Sequence, residues 1–186
     1  MNYSLCDSNC PYNINNCNSF TSVRRRDQNN PLELEDNDSK TLLVFEAPGY
    51  YEWINQSPIY DSRQLGMENS AGSKIADAFE QCNKNRMDYD IAEAVSCFPG
   101  TKSNLIQDEV CQAAKFCEKY LMSYIYTKKY SKIVCWGYIA HNSVVNIVNI
   151  LQERDHTYCP SIIFAKHPTA KDVTPEYIVG IIKKHL

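Results

Sequence analysis

Leu42-Leu43-Val44-Phe45-Glu46-Ala47-Pro48-Gly49-Tyr50-Tyr51-Glu52 is the stretch that decides the fold and locates the chemistry. An apolar run with β-branched and aromatic members reads as a buried strand, and it halts at a carboxylate, a proline and a glycine. In open α/β sheets, side chains at the carboxyl end of a parallel strand face a crevice, and the loop beyond brings backbone amides close to a ligand. A strand ending in Glu-Ala-Pro-Gly is equally what a plain tight turn looks like, so the elements around it have to decide.

Outward from that strand the pattern alternates. Apolar runs at Thr41 to Ala47, Asp90 to Cys97, Lys132 to Gly137 and Ser161 to Ala165 read as strands. Helical periodicity occupies Ala71 to Cys82, Gln107 to Tyr126, His141 to Glu153 and Pro175 to His185. Thr174 before Pro175 is a good helix start, with the hydroxyl as N-cap and proline at the first helical position. Strands alternating with helices predict an α/β fold, a three-layer αβα sandwich around a central four-stranded parallel sheet. Glu46 to Glu52, Ser96 to Gly100, Gly137 to His141 and His167 to Ala170 then all fall at carboxyl ends and converge on one crevice.

The chain has 186 residues, 44% of them hydrophobic, enough for one ordinary core. A formal net charge of -3 excludes a broadly basic nucleic-acid coat but leaves room for a local basic strip. No apolar run approaches membrane-spanning length, and the segment from Met1 to Cys6 lacks the charged and apolar regions of a signal peptide. A cytoplasmic protein is expected. Nine cysteines are an odd number for a disulfide framework, and in a reducing compartment such enrichment points to metal ligation or redox chemistry. Residues 1–40 are polar, with Cys6, Cys10, Cys17 and the basic triplet Arg24-Arg25-Arg26, and read as a cysteine-bearing arm on a domain spanning 41–186.

Four features occur in order: Glu46-Ala47-Pro48-Gly49-x-x-Glu52, Asn69-Ser70-Ala71-Gly72, Ser96-Cys97-Phe98-Pro99 and His167-Pro168-Thr169. Together they resemble the uracil-DNA glycosylase superfamily, and most closely its iron-sulfur-containing family 4. There a Gly-Glu-Ala-Pro-Gly-x-x-Glu loop, an Ala-Gly helix start, a Lys-Cys-Arg-Pro segment and a His-Pro-Ser loop follow the same order. The resemblance covers roughly residues 5 to 170. It implies a DNA glycosylase, a monomeric hydrolase whose partner is DNA, which flips out a base and cleaves its N-glycosidic bond to leave an abasic site. It also implies a [4Fe-4S] cluster on Cys6, Cys10, Cys97 and Cys117, although Cys6 and Cys10 are spaced one residue wider than the usual Cys-x-x-Cys. Thiolate ligation suits iron-sulfur or zinc, and the resemblance favours iron. Cys17 is an open substitute for either arm ligand, whereas Cys82, Cys111, Cys135 and Cys159 read as small buried hydrophobes.

On the same resemblance, His167 donates a hydrogen bond to the departing base, worth about 3 to 4 kcal/mol for a preorganised donor. Glu46 and Glu52 position water and stabilise the cationic sugar, in an order the sequence leaves open. Each of these three also has a plain reading, as a loop histidine or a capping carboxylate. Asn69 and Ser70 open a helix whose free amides suit a phosphate. Gly72, Lys74, Thr169 and Lys171, with Lys166 and the arginine triplet, are candidate DNA contacts.

Two departures bear on the base. Where the family carries an asparagine that reads uracil, this chain has Glu93, placed by alternation with Ile91, Val95 and Cys97 on an inner face. An ionised glutamate repels uracil O4 and accepts from the exocyclic amine of cytosine, and such mismatches discriminate by roughly 10⁴ or more. The stacking phenylalanine falls on Met67 or, counted from Pro58, on Ile59 or Tyr60. The resemblance implies uracil as substrate, and these departures point from uracil toward a modified cytosine, which would suit a phage-defence enzyme. The alternative is an iron-sulfur module that senses DNA or redox state without catalysis.

Overall fold

A computed structural model describes residues 9–12, 30–100 and 106–186. The strands are β1 (Thr41–Phe45), β2 (Asp90–Glu93), β3 (Lys132–Trp136) and β4 (Ser161–Ala165). The helices are α1 (Tyr50–Asn55), α2 (Ala71–Gln81), α3 (Ile106–Lys128), α4 (Tyr138–Arg154) and α5 (Pro175–His185). All strands pair in parallel, in the order β2-β1-β3-β4. Leaving β1, the chain goes to one side for β2 and returns past β1 for β3. The crevice beyond the carboxyl end of β1 is therefore the topological switch point, where open α/β sheets bind ligands.

Alternation along each strand sorts the core into two layers. Leu42, Val44, Ala92, Ile133 and Cys135 pack with Ala113, Leu121, Val144 and Ile147 of α3 and α4. Leu43, Phe45, Ile91, Val134 and Trp136 pack with Ile75, Phe79, Ile178 and Ile182 of α2 and α5. Helices on both faces explain why β1, β3 and β4 are largely apolar runs. The expected three-layer sandwich is observed. Among the described residues no helix is long and apolar enough to cross a membrane.

The structure differs from the sequence reading at three edges. β2 stops at Glu93 rather than Cys97, although the ladder runs on through Ala94 and Val95, whose amides donate to the Phe45 and Glu46 carbonyls at 2.8 and 3.0 Å. Beyond them the Ser96 carbonyl accepts from the Leu32 amide at 2.6 Å, so the incoming segment replaces the neighbouring strand. Alternation breaks there: Ile91 joins one layer, while Val95 and Cys97 join the other. The short helix α1 forms where a loop was expected. And α4 begins at Tyr138, ahead of the expected His141, because its first turn is capped from another strand.

The described part of residues 1–40 packs on the same unit. Cys10, Tyr12 and Leu32 are buried in the α3/α4 layer, and Glu35 forms an isolated antiparallel bridge with Ile91. Cys17 and the arginine triplet lie outside the described residues.

Candidate active site

A cavity of about 310 Å³ opens at the carboxyl ends of the strands. It is lined by Glu52 and Tyr50 from α1, Ser70 and Ala71 from the start of α2, Glu93 from β2, Phe98 beyond it, and His167 and Thr169 after β4. Three of the four segments predicted to converge meet here, those after β1, β2 and β4, whereas Gly137 to His141 does not line the cavity, its Ile139 amide being turned to Glu46. The volume lies at the lower end for small-ligand sites.

His167 is half-buried and fixed in one tautomer. Its Nδ1 accepts from the Thr169 amide at 3.3 Å and lies 2.9 Å from the Thr169 hydroxyl. A backbone amide can only donate, so Nδ1 carries the lone pair and Nε2 carries the proton. Burial, with the Lys74 cation adding to it, pushes the imidazole pKa down to about 4. At neutral pH the ring is thus an uncharged hydrogen-bond donor. Lys74 also holds the loop, its Nζ donating to the Pro168 carbonyl at 3.1 Å.

Both glutamates of the first motif cap helices. Glu52 occupies the third position of α1 and reaches back to the Gly49 amide, half of a capping box. A Cβ on Gly49 would stand 2.5 Å from Glu52 Oε2, so glycine leaves the room. Glu46 crosses to the next strand's loop, where its Oε1 accepts from the Ile139 amide at 3.1 Å and so caps α4. Gly137 is required twice over: its φ is +107°, and a Cβ would meet Glu46 Oε1 at 2.3 Å. Burial raises both carboxyls above their usual range, against the lowering effect of these amides. Glu52 lines the cavity, whereas Glu46 turns its carboxylate to α4.

Glu93 is 7% exposed, and its Oε2 has no hydrogen-bond partner among the described residues. Burial, reinforced by Glu52 and Glu46, raises its pKa well above the ordinary value, with Arg86 opposing. A carboxyl with no compensating donor favours the neutral acid.

Arg86 clamps the cavity's other wall. Its guanidinium pairs with Glu35, donates to the Ile59 carbonyl at 2.9 Å and also bonds the Pro58 carbonyl and, at 3.2 Å, the Ser57 hydroxyl. It thereby holds Ile59, a β-branched residue, at a φ of +42°, a conformation costing about 1–3 kcal/mol. Nothing in the sequence singled out Arg86. Phe98 and Tyr50, whose rings meet edge-on at 5.9 Å, line the cavity together with Tyr51 and Phe45, and Phe98 was visible only as a member of the Ser96-to-Pro99 motif.

Several expected contacts fall elsewhere. Met67 is 43% exposed and does not line the cavity, nor does Tyr60; Ile59 takes that place, because the chain turns inward one residue earlier under the Arg86 clamp. Asn69 is exposed outside the cavity, while Ser70 caps α2, accepting from the Ser73 amide at 3.0 Å. Gly72 is buried, and a Cβ there would stand 2.1 Å from the Tyr60 carbonyl oxygen, so it serves close packing. Lys74 is engaged with the His167 loop, Lys166 is paired with Asp172, and Lys171 is exposed.

Of the expected cluster ligands, Cys10, Cys97 and Cys117 are buried in one apolar layer, and Cys6 lies outside the described residues. Cys10, Cys97 and Cys111 all act on the Tyr12 hydroxyl, whose pKa burial raises. The donors suit thiolate ligation. Yet among the described residues no three His, Cys, Asp or Glu side chains are gathered to hold a metal ion. The buried thiols match a cluster in chemistry, and the described residues alone do not assemble one. Cys111 and Cys159 are exposed, contrary to their reading as buried hydrophobes; Cys111 lies in α3 and Cys159 in the loop before β4. Cys135 is buried, its thiol pushed up to about 12, and Cys82 is half-buried.

No protein-family model matches the chain, and no curated protein is recognisably similar to it. The family link therefore remains a resemblance carried by the four motifs.

Proposed function

We propose that the chain is a DNA glycosylase that binds an everted pyrimidine nucleotide in this cavity and hydrolyses its N-glycosidic bond. The observation that carries the reading is the uncharged, tautomer-fixed His167 sharing one cavity with the buried carboxyls Glu52 and Glu93.

Cleavage of an N-glycosidic bond leaves a cationic sugar and an anionic base. His167 Nε2–H is suited to donate to the base carbonyl as negative charge develops, and a neutral donor avoids protonating the base outright. Glu52 is the carboxylate in the cavity and the better candidate to hold water and face the cation. Glu46 then acts as a positioning residue, tying β1 to α4. Phe98 and Tyr50 offer faces for the extruded base. The Ser70 end of α2 and Lys171 suit the DNA backbone. None of these roles uses an iron-sulfur cluster, which on this reading is structural, held by Cys10, Cys97, Cys117 and Cys6.

The test is incubation with duplexes carrying uracil, cytosine, 5-hydroxymethylcytosine or glucosylated 5-hydroxymethylcytosine, with abasic sites revealed by alkali. Strand breaks at the uracil or a modified cytosine are expected; intact strands throughout would defeat the reading. A phage-defence role is carried by preference for the modified cytosines, and uracil preference would remove it. For the cluster, iron and labile sulfide should copurify with the protein and be lost in Cys97→Ser and Cys117→Ser, but not in Cys82→Ser.

A further inference from the structure

We propose that Glu93 reads the base as a neutral carboxylic acid, its O–H and C=O pairing side by side with the N3 and C4 positions of the pyrimidine. The proposal rests on the glycosylase reading and specifies how its site recognises substrate. It also changes what the sequence suggested, which took Glu93 as ionised.

The geometry comes first. Glu93 ends β2, is 93% buried by its 7% exposure, lines the cavity, and leaves Oε2 without a hydrogen-bond partner among the described residues. The charged groups that face it come from each neighbouring element: Glu52 from α1, Glu46 beyond β1, and Arg86 from the turn before β2. His167 shares the cavity from the β4 loop. Arg86 is committed to Glu35 and to the Ile59 and Pro58 carbonyls, so among the described residues no cation pairs with Glu93. Two carboxyls against one occupied guanidinium oppose a third negative charge, and burial opposes it further.

A neutral carboxyl differs from a carboxylate in having a donor. Against cytosine, the O–H donates to N3 and the C=O accepts from the amine on C4. Against uracil, the C=O accepts from N3–H and the O–H donates to O4. The proton can sit on either oxygen, so one residue serves both edges, as an amide would by flipping. The ionised form keeps one bond and sets a lone pair against N3 or O4 in either case. Glu93 therefore selects a pyrimidine with an unsubstituted N3 without separating uracil from cytosine types. Discrimination between those types falls to the 5-substituent and the cavity walls.

The test uses the full chain with wild type, Glu93→Gln and Glu93→Ala. Binding is measured on duplexes carrying hydrolysis-resistant 2′-fluoro-deoxyuridine or 2′-fluoro-deoxycytidine, from about pH 5 to about pH 9, where upshifted carboxyls titrate. Wild-type binding should weaken about tenfold with rising pH on both duplexes, the cost of one unsatisfied polar contact. Glu93→Gln should bind both within a few-fold of the low-pH wild type at every pH, and Glu93→Ala should be about tenfold weaker throughout. In parallel, the infrared spectrum of the wild-type protein near neutral pH should show a protonated-carboxyl band absent from Glu93→Gln. Absence of that band, a flat wild-type profile, or Glu93→Gln as weak as Glu93→Ala overturns the proposal. If the band is present but no duplex is bound base-specifically, the glycosylase reading has failed and takes the base-reading role with it. If bases are released while the wild-type and Glu93→Gln profiles coincide, the Glu93 assignment fails alone.

Discussion

Asp90 and Glu93 stand three residues apart on β2, both buried, and they are treated in opposite ways. Asp90, at the amino end of the strand, is fully enclosed and fully bonded: it accepts from the Asn37 and Ser39 amides at 2.8 and 3.0 Å and from the Tyr130 hydroxyl at 2.7 Å, with Lys128 3.9 Å away. Glu93, at the carboxyl end, leaves an oxygen with no such partner among the described residues and faces two more carboxyls, with only the already engaged Arg86 to oppose them. Burial of a charge-bearing group is thus no sign of function by itself. What separates scaffold from site is whether the fold satisfies the group it buries.

The comparison can be broken by exchange of effects. His167→Ala, at the carboxyl end, should lower base release by roughly 10² to 10³ while leaving the unfolding midpoint unchanged, the cost of one preorganised donor. Asp90→Ala, at the amino end, should do the reverse. It orphans two amides and a hydroxyl and should cost about 3 kcal/mol of stability in denaturant unfolding, with base release per folded molecule retained. A large loss of release from Asp90→Ala at full folding would erase the distinction.

Glu93 gives a smaller effect of known sign. Its folded pKa is raised, so its contribution to stability is complete below the ordinary carboxylate range and is lost as pH rises through the raised value. Glu93→Gln removes that loss. The variant should melt like wild type near pH 4 and become relatively more stable above it, by up to about 1.4 kcal/mol per pH unit while only the unfolded chain is ionised. A thermal melting series over pH reads this directly.

Lys74 should give the smallest change. Lys74→Met removes one bond to the His167 loop and the cation that helps hold the imidazole neutral. Base release near neutrality should fall about two- to tenfold, as for one hydrogen bond, and the acid limb of the pH–rate profile should move up in pH.

The layered fold could be read in the sequence because β1, β3 and β4 are largely apolar runs covered on both faces, and because Thr174-Pro175 marks its helix start locally. The crevice could be read because carboxyl ends follow from parallel topology. What could not be read depends on contacts far apart in the chain. Glu46 capping α4 explains both the early start at Tyr138 and the need for Gly137, and neither is a local signal. Arg86 forcing Ile59 into a left-handed conformation shifts the cavity wall away from Met67 and Tyr60. The upward shift at Glu93 comes first from burial and then from Glu52 and Glu46, which no strand-parity argument brings to it.

The proposed glycosylase activity is tested most directly by looking for the free base. Wild-type protein incubated with the uracil and modified-cytosine duplexes, followed by mass spectrometry of the small-molecule fraction, should yield an intact released pyrimidine together with an abasic strand. Duplexes that are bound but yield no free base would contradict catalysis and leave a protein that binds DNA without cutting the glycosidic bond.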